Sequence, residues 1–204
     1  ALLRLREPAK SASVFQEPDK IRPGDDIIVF GYPLVGQLAS AGNLTRGSVT
    51  ALSGLRDDAR YFQMSAPIQL GNSGGPVLNQ AGRVTGVVTY KLNAARELKA
   101  TGDISQNVNF ALKNSVLRAF LDSNNIVYAR SNAVASQSAA DVGSEAAKFT
   151  GILKDQNIDA EVTVVEPRCW QKADGVKHVW QGVAVGVGVV GVLAVLWRLF
   201  GGQK

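Results

Sequence analysis

The sequence runs to 204 residues, enough for one good-sized domain with an appendage, and 46% hydrophobic with 19% charged content describes a globular chain, not a disordered one. Its 22 basic and 17 acidic side chains leave a net charge of +5 scattered along the whole length. No block of Lys/Arg interleaved with aromatics occurs, so nucleic-acid binding is excluded as the main function. Cys169 is the only cysteine, which rules out an intrachain disulfide, and its neighbours Arg168 and Trp170 offer the thiol no base. The chain opens at Ala1 without a signal-peptide pattern and reads as a processed product or a partial sequence.

Residues 1–5 read as the tail of a short buried strand, followed over 7–20 by a polar connector with two Glu-Pro pairs. Ile27-Ile28-Val29-Phe30 is an unbroken apolar run between Gly-Asp-Asp and Gly-Tyr-Pro, hence a buried strand. A loop rich in small residues covers 34–43. Segments 45–53, 60–66, 75–79, 83–91 and 106–112 then read as strands set apart by Gly, Asn and Asp turns. That cadence suits an antiparallel barrel rather than βαβ units, and the fold class is mostly β.

Gly71-Asn72-Ser73-Gly74-Gly75-Pro76-Val77 interrupts this series and carries the chemistry. Three glycines in five positions allow a loop that turns N–H groups inward while presenting one hydroxyl. Acyl transfer needs that pairing of a nucleophile with donors aimed at a developing oxyanion. Taken alone, the motif is equally a Gly-rich turn between strands.

Beyond the loop, Val116, Leu117, Phe120 and Leu121 recur at helical spacing within 114–124, with Asn114 or Ser115 as the N-cap. Residues 129–141 have the Ala, Ser, Asn and Gln composition of a linker. A short helix over 141–149 and a strand over 161–165 follow, with too little apolar mass for a separate core. Val179 to Trp197 holds nineteen residues with one polar side chain, Gln181, and no charge. As a helix it would span roughly 28 Å, near the thickness of a bilayer's hydrocarbon core, bracketed by Trp180 and Trp197. The expected organisation is a barrel with its helix over 1–128, a juxtamembrane linker over 129–178, a transmembrane helix over 179–197 and a short tail over 198–204.

Gly71-Asn72-Ser73-Gly74-Gly75-Pro76 resembles the nucleophile loop of trypsin-fold serine peptidases, closely that of the bacterial HtrA (Deg) type. The resemblance extends from Ala1 to about Ile126. It is carried also by Pro18–Asp25, Val29-Phe30-Gly31-Tyr32-Pro33, the 45–52 and 62–68 segments, Gly82–Val88 and Val108-Asn109-Phe110-Ala111-Leu112. It implies the second barrel of a two-barrel peptidase with Ser73 as nucleophile and the N–H groups of Gly71 and Ser73 as the oxyanion hole, Asn72 shaping the turn between them. Thr89-Tyr90-Lys91 would pair with the substrate backbone. Ile68, Asn109 and Ala111 would wall the pocket for the residue before the cut. No carboxylate stands at the base of that pocket, so a small or medium apolar residue is expected there. Asn109 occupies a place where the family usually has glycine. The implied substrates are polypeptides and no cofactor or metal is implied. A homo-oligomer is allowed for, and the resemblance places the peptidase on the periplasmic or extracellular side of a bacterial membrane.

The family's histidine precedes its serine, whereas the one histidine here, His178, follows Ser73 by about a hundred residues and reads as juxtamembrane. Asp25-Asp26 and Asp57-Asp58 read as solvated loop carboxylates. The chain is therefore expected to lack the triad's His and Asp and to be inactive alone. A pseudoprotease that keeps the barrel as a peptide-binding surface is the alternative. Gly186-Val187-Gly188-Val189-Val190-Gly191 fits a dinucleotide fingerprint in letters only, since no later acidic residue or amphipathic helix accompanies it. Asn43-Leu44-Thr45 is a glycosylation sequon that matters only in a eukaryotic secretory pathway.

Overall fold

A computed structural model describes residues 2–5, 11–33, 42–91, 102, 107–153, 160–163, 182–187 and 191–194. In chain order its strands are β1 (Leu2–Leu5), β2 (Val14–Gln16), β3 (Asp26–Gly31), β4 (Asn43–Ala51), β5 (Tyr61–Met64), β6 (Pro76–Leu78), β7 (Val84–Lys91) and β8 (Asn109–Lys113). Helix α1 (Asn114–Ser123), β9 (Ala129–Ser131), helix α2 (Ala139–Phe149), β10 (Thr150–Leu153), β11 (Ala160–Thr163), β12 (Gly182–Val187) and β13 (Gly191–Ala194) follow.

Six of these close on themselves. The order β6-β3-β4-β5-β8-β7 returns to β6 through a further β6–β7 pairing, and every contact around the ring is antiparallel. The expected mostly-β antiparallel barrel is therefore present. Its interior takes Ile27 and Val29 from β3, Val49 from β4, Phe62 and Met64 from β5, Val77 from β6, Val88 from β7 and Ala111 from β8. Phe62, Met64, Ala66 and Ile68 alternate with more exposed neighbours at the period of a half-buried strand.

The unbroken run in β3 has a simple cause. Ile27 and Val29 fill the barrel, while Ile28 and Phe30 face outward into a second apolar cluster with Phe15, Leu117, Leu121, Val142 and Ala146. A strand covered on both faces has no reason to alternate. This outer layer is held by α1, which reads through its Val, Leu and Phe spacing as expected, and by α2.

The segment expected to be a linker is tied down. β9 pairs in parallel with β2, β2 in turn with β7, and the Gln137 N–H donates to the Gln80 carbonyl at 2.8 Å. Glu17 accepts from Arg118 at 3.1 Å and Arg130 at 3.2 Å, clasping the same region. Two helix caps also come from unexpected places. Neither Asn114 nor Ser115 caps α1: its N-cap is Lys113, without a side-chain bond, and the free Ser115 N–H donates at 2.6 Å to Asp19, a residue far upstream. Helix α2 is capped by Ser138, whose hydroxyl accepts from the Asp141 N–H at 3.1 Å.

The transmembrane helix expected over 179–197 is corrected. The described parts of that segment, β12 and β13, are antiparallel strands in a five-stranded sheet, order β10-β12-β13-β1-β11. No helix among the described residues is long and apolar enough to cross a membrane. The composition explains the difference. Valine is stiff at χ1 and favours extended backbone, and glycine weakens a helix by about 1 kcal/mol relative to alanine, so a Val/Gly alternation is better suited to paired strands. Residues 179–181, 188–190 and 195–197 lie outside the described residues, as do His178 and Cys169.

Candidate active site

The 71–77 loop leaves the barrel wall at Ile68 and returns as β6. Gly71 and Gly74 adopt φ of 100° and 87°, the left-handed region that a side chain resists. Between them the chain doubles back, with the Asn72 N–H donating to the Gln69 carbonyl at 3.1 Å and the Gly75 N–H to the Asn72 carbonyl at 2.9 Å. β7 fixes the turn from the other side, since Gly74 N–H donates to Val88 O at 2.8 Å and Val88 N–H to Gly75 O at 2.9 Å. The N–H groups of Gly71 and Ser73 make no such bond among the described residues. They remain available as donors within the loop that carries the Ser73 hydroxyl.

Gly75 is held against backbone. A Cβ there would lie 2.5 Å from the Phe30 carbonyl oxygen and 2.9 Å from that of Asn72. Gly75→Ala should therefore push the loop off β3, with an expected loss of about 1–3 kcal/mol in urea denaturation.

Ser73 is half-buried and its Oγ donates to the Thr89 carbonyl at 3.2 Å. Thr89 is free to accept because β7 bulges there: Val88 pairs with Ala111 and Tyr90 with Phe110, leaving Thr89 the extra residue. Its own Oγ1 donates across to the Phe110 carbonyl at 2.9 Å. Asn72 is 2% exposed, lies against Gly31, and leaves its Oδ1 buried without a partner.

Three of the remaining expected site residues lie in the barrel wall. Asn109, 4% exposed, donates its Nδ2 to the Ala66 carbonyl at 2.8 Å. Ile68 is buried in the same wall, which Thr45 pins by donating to the Pro67 carbonyl at 2.8 Å. Ala111 is fully buried behind Asn109 on the same face of β8. Tyr90 stacks on Phe110 at 4.6 Å and meets Tyr61 edge-on at 5.6 Å, and Lys91 is exposed at the end of β7. Val87 and Phe110 are ordinary buried core.

None of the aspartates in the two Asp-Asp pairs serves Ser73. Asp25 pairs with Arg22 at 3.1 Å, Asp26 accepts from Gln80 at 2.6 Å, Asp57 accepts from Ser53 at 3.4 Å, and Asp58 pairs with Arg60 at 2.6 Å. The hydrogen bonds from Arg60 hold the Asp58 carboxyl down at about 2. No histidine stands among the described residues, nor does any cluster of His, Cys, Asp or Glu there suit a metal ion.

Burial pushes the Tyr90 phenol above its usual value, the neighbouring Tyr61 and Asp58 adding to the rise. A folded pKa raised above the unfolded one means that this contribution to stability is complete below about pH 10 and is lost as pH rises through the folded value. An ultraviolet difference titration of the chain against Tyr90→Phe should show the missing phenol ionising above pH 10. Ionisation of that phenol at or below its ordinary value would contradict the burial argument. The bulge at Thr89 and the tether of Asn109 to Ala66 had no sequence signal, because both depend on which strand lies opposite.

Residues 1–87 match the family model described as "Trypsin-like peptidase domain". The chain is 55% identical over 122 residues to the uncharacterized protein y4bJ of Sinorhizobium fredii, covering 59% of this chain and 19% of that protein. It is 35% identical over 124 residues to the periplasmic pH-dependent serine endoprotease DegQ of Escherichia coli, covering 58% and 25%. It is 32% identical over 125 residues to the probable periplasmic serine endoprotease DegP-like of Rhizobium meliloti, covering 60% and 23%. The chain thus spans about a fifth to a quarter of the length of these curated relatives.

Proposed function

We propose that the chain carries part of a trypsin-like peptidase of the HtrA type, and that the complete protein hydrolyses peptide bonds through an acyl-enzyme on Ser73. The observation that carries this reading is the half-buried Ser73 hydroxyl in a loop held on both sides, whose Gly71 and Ser73 N–H groups make no backbone hydrogen bond among the described residues. Attack by Oγ on a substrate carbonyl would form a tetrahedral intermediate whose oxyanion those two N–H groups can hold. Collapse would expel the amine and leave the acyl group on Ser73, and water would then release it.

A base must take the Ser73 proton, and the Thr89 carbonyl that now accepts it is too weak a base to do so. The histidine and aspartate of the triad are proposed to come from polypeptide outside the described residues. Substrate would lie along Thr89-Tyr90-Lys91 as an added strand, with the side chain before the cut directed toward Ile68 and Asn109, Ala111 lying behind. Polypeptides are the proposed substrate class. The periplasmic relatives support a periplasmic or extracellular site of action.

A fluorophosphonate probe should label Ser73 in the complete product of the gene and should fail to label Ser73→Ala. Peptide binding to that product without any Ser73 labelling would instead support a pseudoprotease that keeps the barrel as a binding module.

A further inference from the structure

Asn109 opens β8, in register with Met64 of β5 and Lys91 of β7. Its amide orientation follows from chemistry: the Ala66 carbonyl at 2.8 Å can only accept, so Nδ2 faces it and Oδ1 faces away. Oδ1 has no hydrogen bond among the described residues. It is not sealed either, since the buried unpartnered side-chain atoms among the described residues are Asn72 Oδ1, Arg83 Nε, Asn114 Oδ1 and Thr150 Oγ1. An open acceptor therefore sits on a side chain that is otherwise 4% exposed and held rigidly at its other end.

Its place relative to the nucleophile is set by two bonds. The carbonyl of the next residue, Phe110, accepts from Thr89 Oγ1 at 2.9 Å, and the Thr89 carbonyl accepts from Ser73 Oγ at 3.2 Å. The opposing wall, Ala66 to Ile68, runs on through Gln69 into the loop itself. Ala111 behind the amide is fully buried, so depth ends at Asn109.

Resting on the peptidase reading, we infer that Asn109 forms the floor of the pocket for the residue before the cut and that its Oδ1 selects a short side chain bearing a hydrogen-bond donor, threonine or serine. The apolar preference expected from sequence counted the absence of a carboxylate but not the free carbonyl. An apolar side chain over that oxygen strips its water without replacing it, whereas a hydroxyl donates to it. Sites built to bond a substrate hydroxyl discriminate against the isostere that lacks one. Threonine and valine have nearly the same shape, so their comparison isolates the bond.

The test uses the complete product of the gene and peptidyl phosphonates that differ only in carrying a threonine-like or a valine-like side chain at the reacting position. The Ser73 adduct is followed by mass spectrometry. The threonine probe should react faster by about 3- to 10-fold, the range of one net hydrogen bond. Asn109→Leu should reverse the order. If that variant does not fold, Asn109→Gly serves: it should bring the ratio to about one and admit a leucine-like probe. Equal rates in the native protein, or a ratio unchanged by Asn109→Gly, would overturn the pocket inference while leaving the peptidase in place. Absence of any Ser73 adduct with every probe would overturn both.

Discussion

Ser73→Ala should lower peptide-bond turnover by the complete gene product by about 10⁶ in kcat, the scale on which loss of the serine alone disables a triad enzyme. The loss should fall on kcat, with KM little changed. The reason lies in what the variant keeps: β7, proposed to pair with the substrate backbone, the proposed pocket residues Ile68 and Asn109, and the Gly71 and Ser73 N–H groups within the loop. Binding survives and the covalent step does not. Steady-state kinetics on one peptide substrate would check the split. A variant that retains more than about a thousandth of the rate would show that some other group attacks the carbonyl, since oxyanion stabilisation and binding alone leave only about 10³–10⁴ over water.

Phe62→Ala should cost the fold about 3–5 kcal/mol, toward the upper end for a buried aromatic. Phe62 is fully buried in a cluster fed by all six barrel strands. Its ring lies so close to β7 that a Cβ on Gly86 would sit 2.6 Å from it. Strands hydrogen-bonded around a closed ring cannot collapse into the space the ring vacates, so the cavity persists. Urea denaturation should show a lower midpoint with an unchanged slope, whereas Phe62→Leu should lose markedly less. Similar losses in both variants would mean that the wall relaxes inward.

Local pattern made much of this molecule legible. The apolar run of β3, the alternation through Phe62 to Ile68, the spacing of Val116, Leu117, Phe120 and Leu121, and the Gly-rich loop each encode their element in neighbouring residues. What stayed hidden depends on partners distant in sequence. β2 and β9 are three residues each and pair in parallel, which no short run can announce. The Ser115 N–H at the start of α1 is satisfied by Asp19, the acceptor for Ser73 lies at the bulge of β7 against β8, and Asn109 is fixed by the Ala66 carbonyl just beyond β5. The 179–197 segment misled for a different reason. Its apolar content answers whether it avoids water, and its valines and glycines answer how its backbone is satisfied; only the second question separates helix from strand.

Closure of the barrel also orders events at the ribosome. β8 ends at Lys113 and lies between β5 and β7, so the ring stays open until that residue has emerged. Until then β7 is paired on one flank only, and it is β7 that grips the loop through Val88. A nascent chain therefore displays two raw strand edges in the interval, which invites chaperones and misassociation. The same delay means that Ser73 gains its firm cradle only after more than a third of the barrel's sequence beyond it has been synthesised, so an unfinished polypeptide carries the serine in a loop not yet held in place.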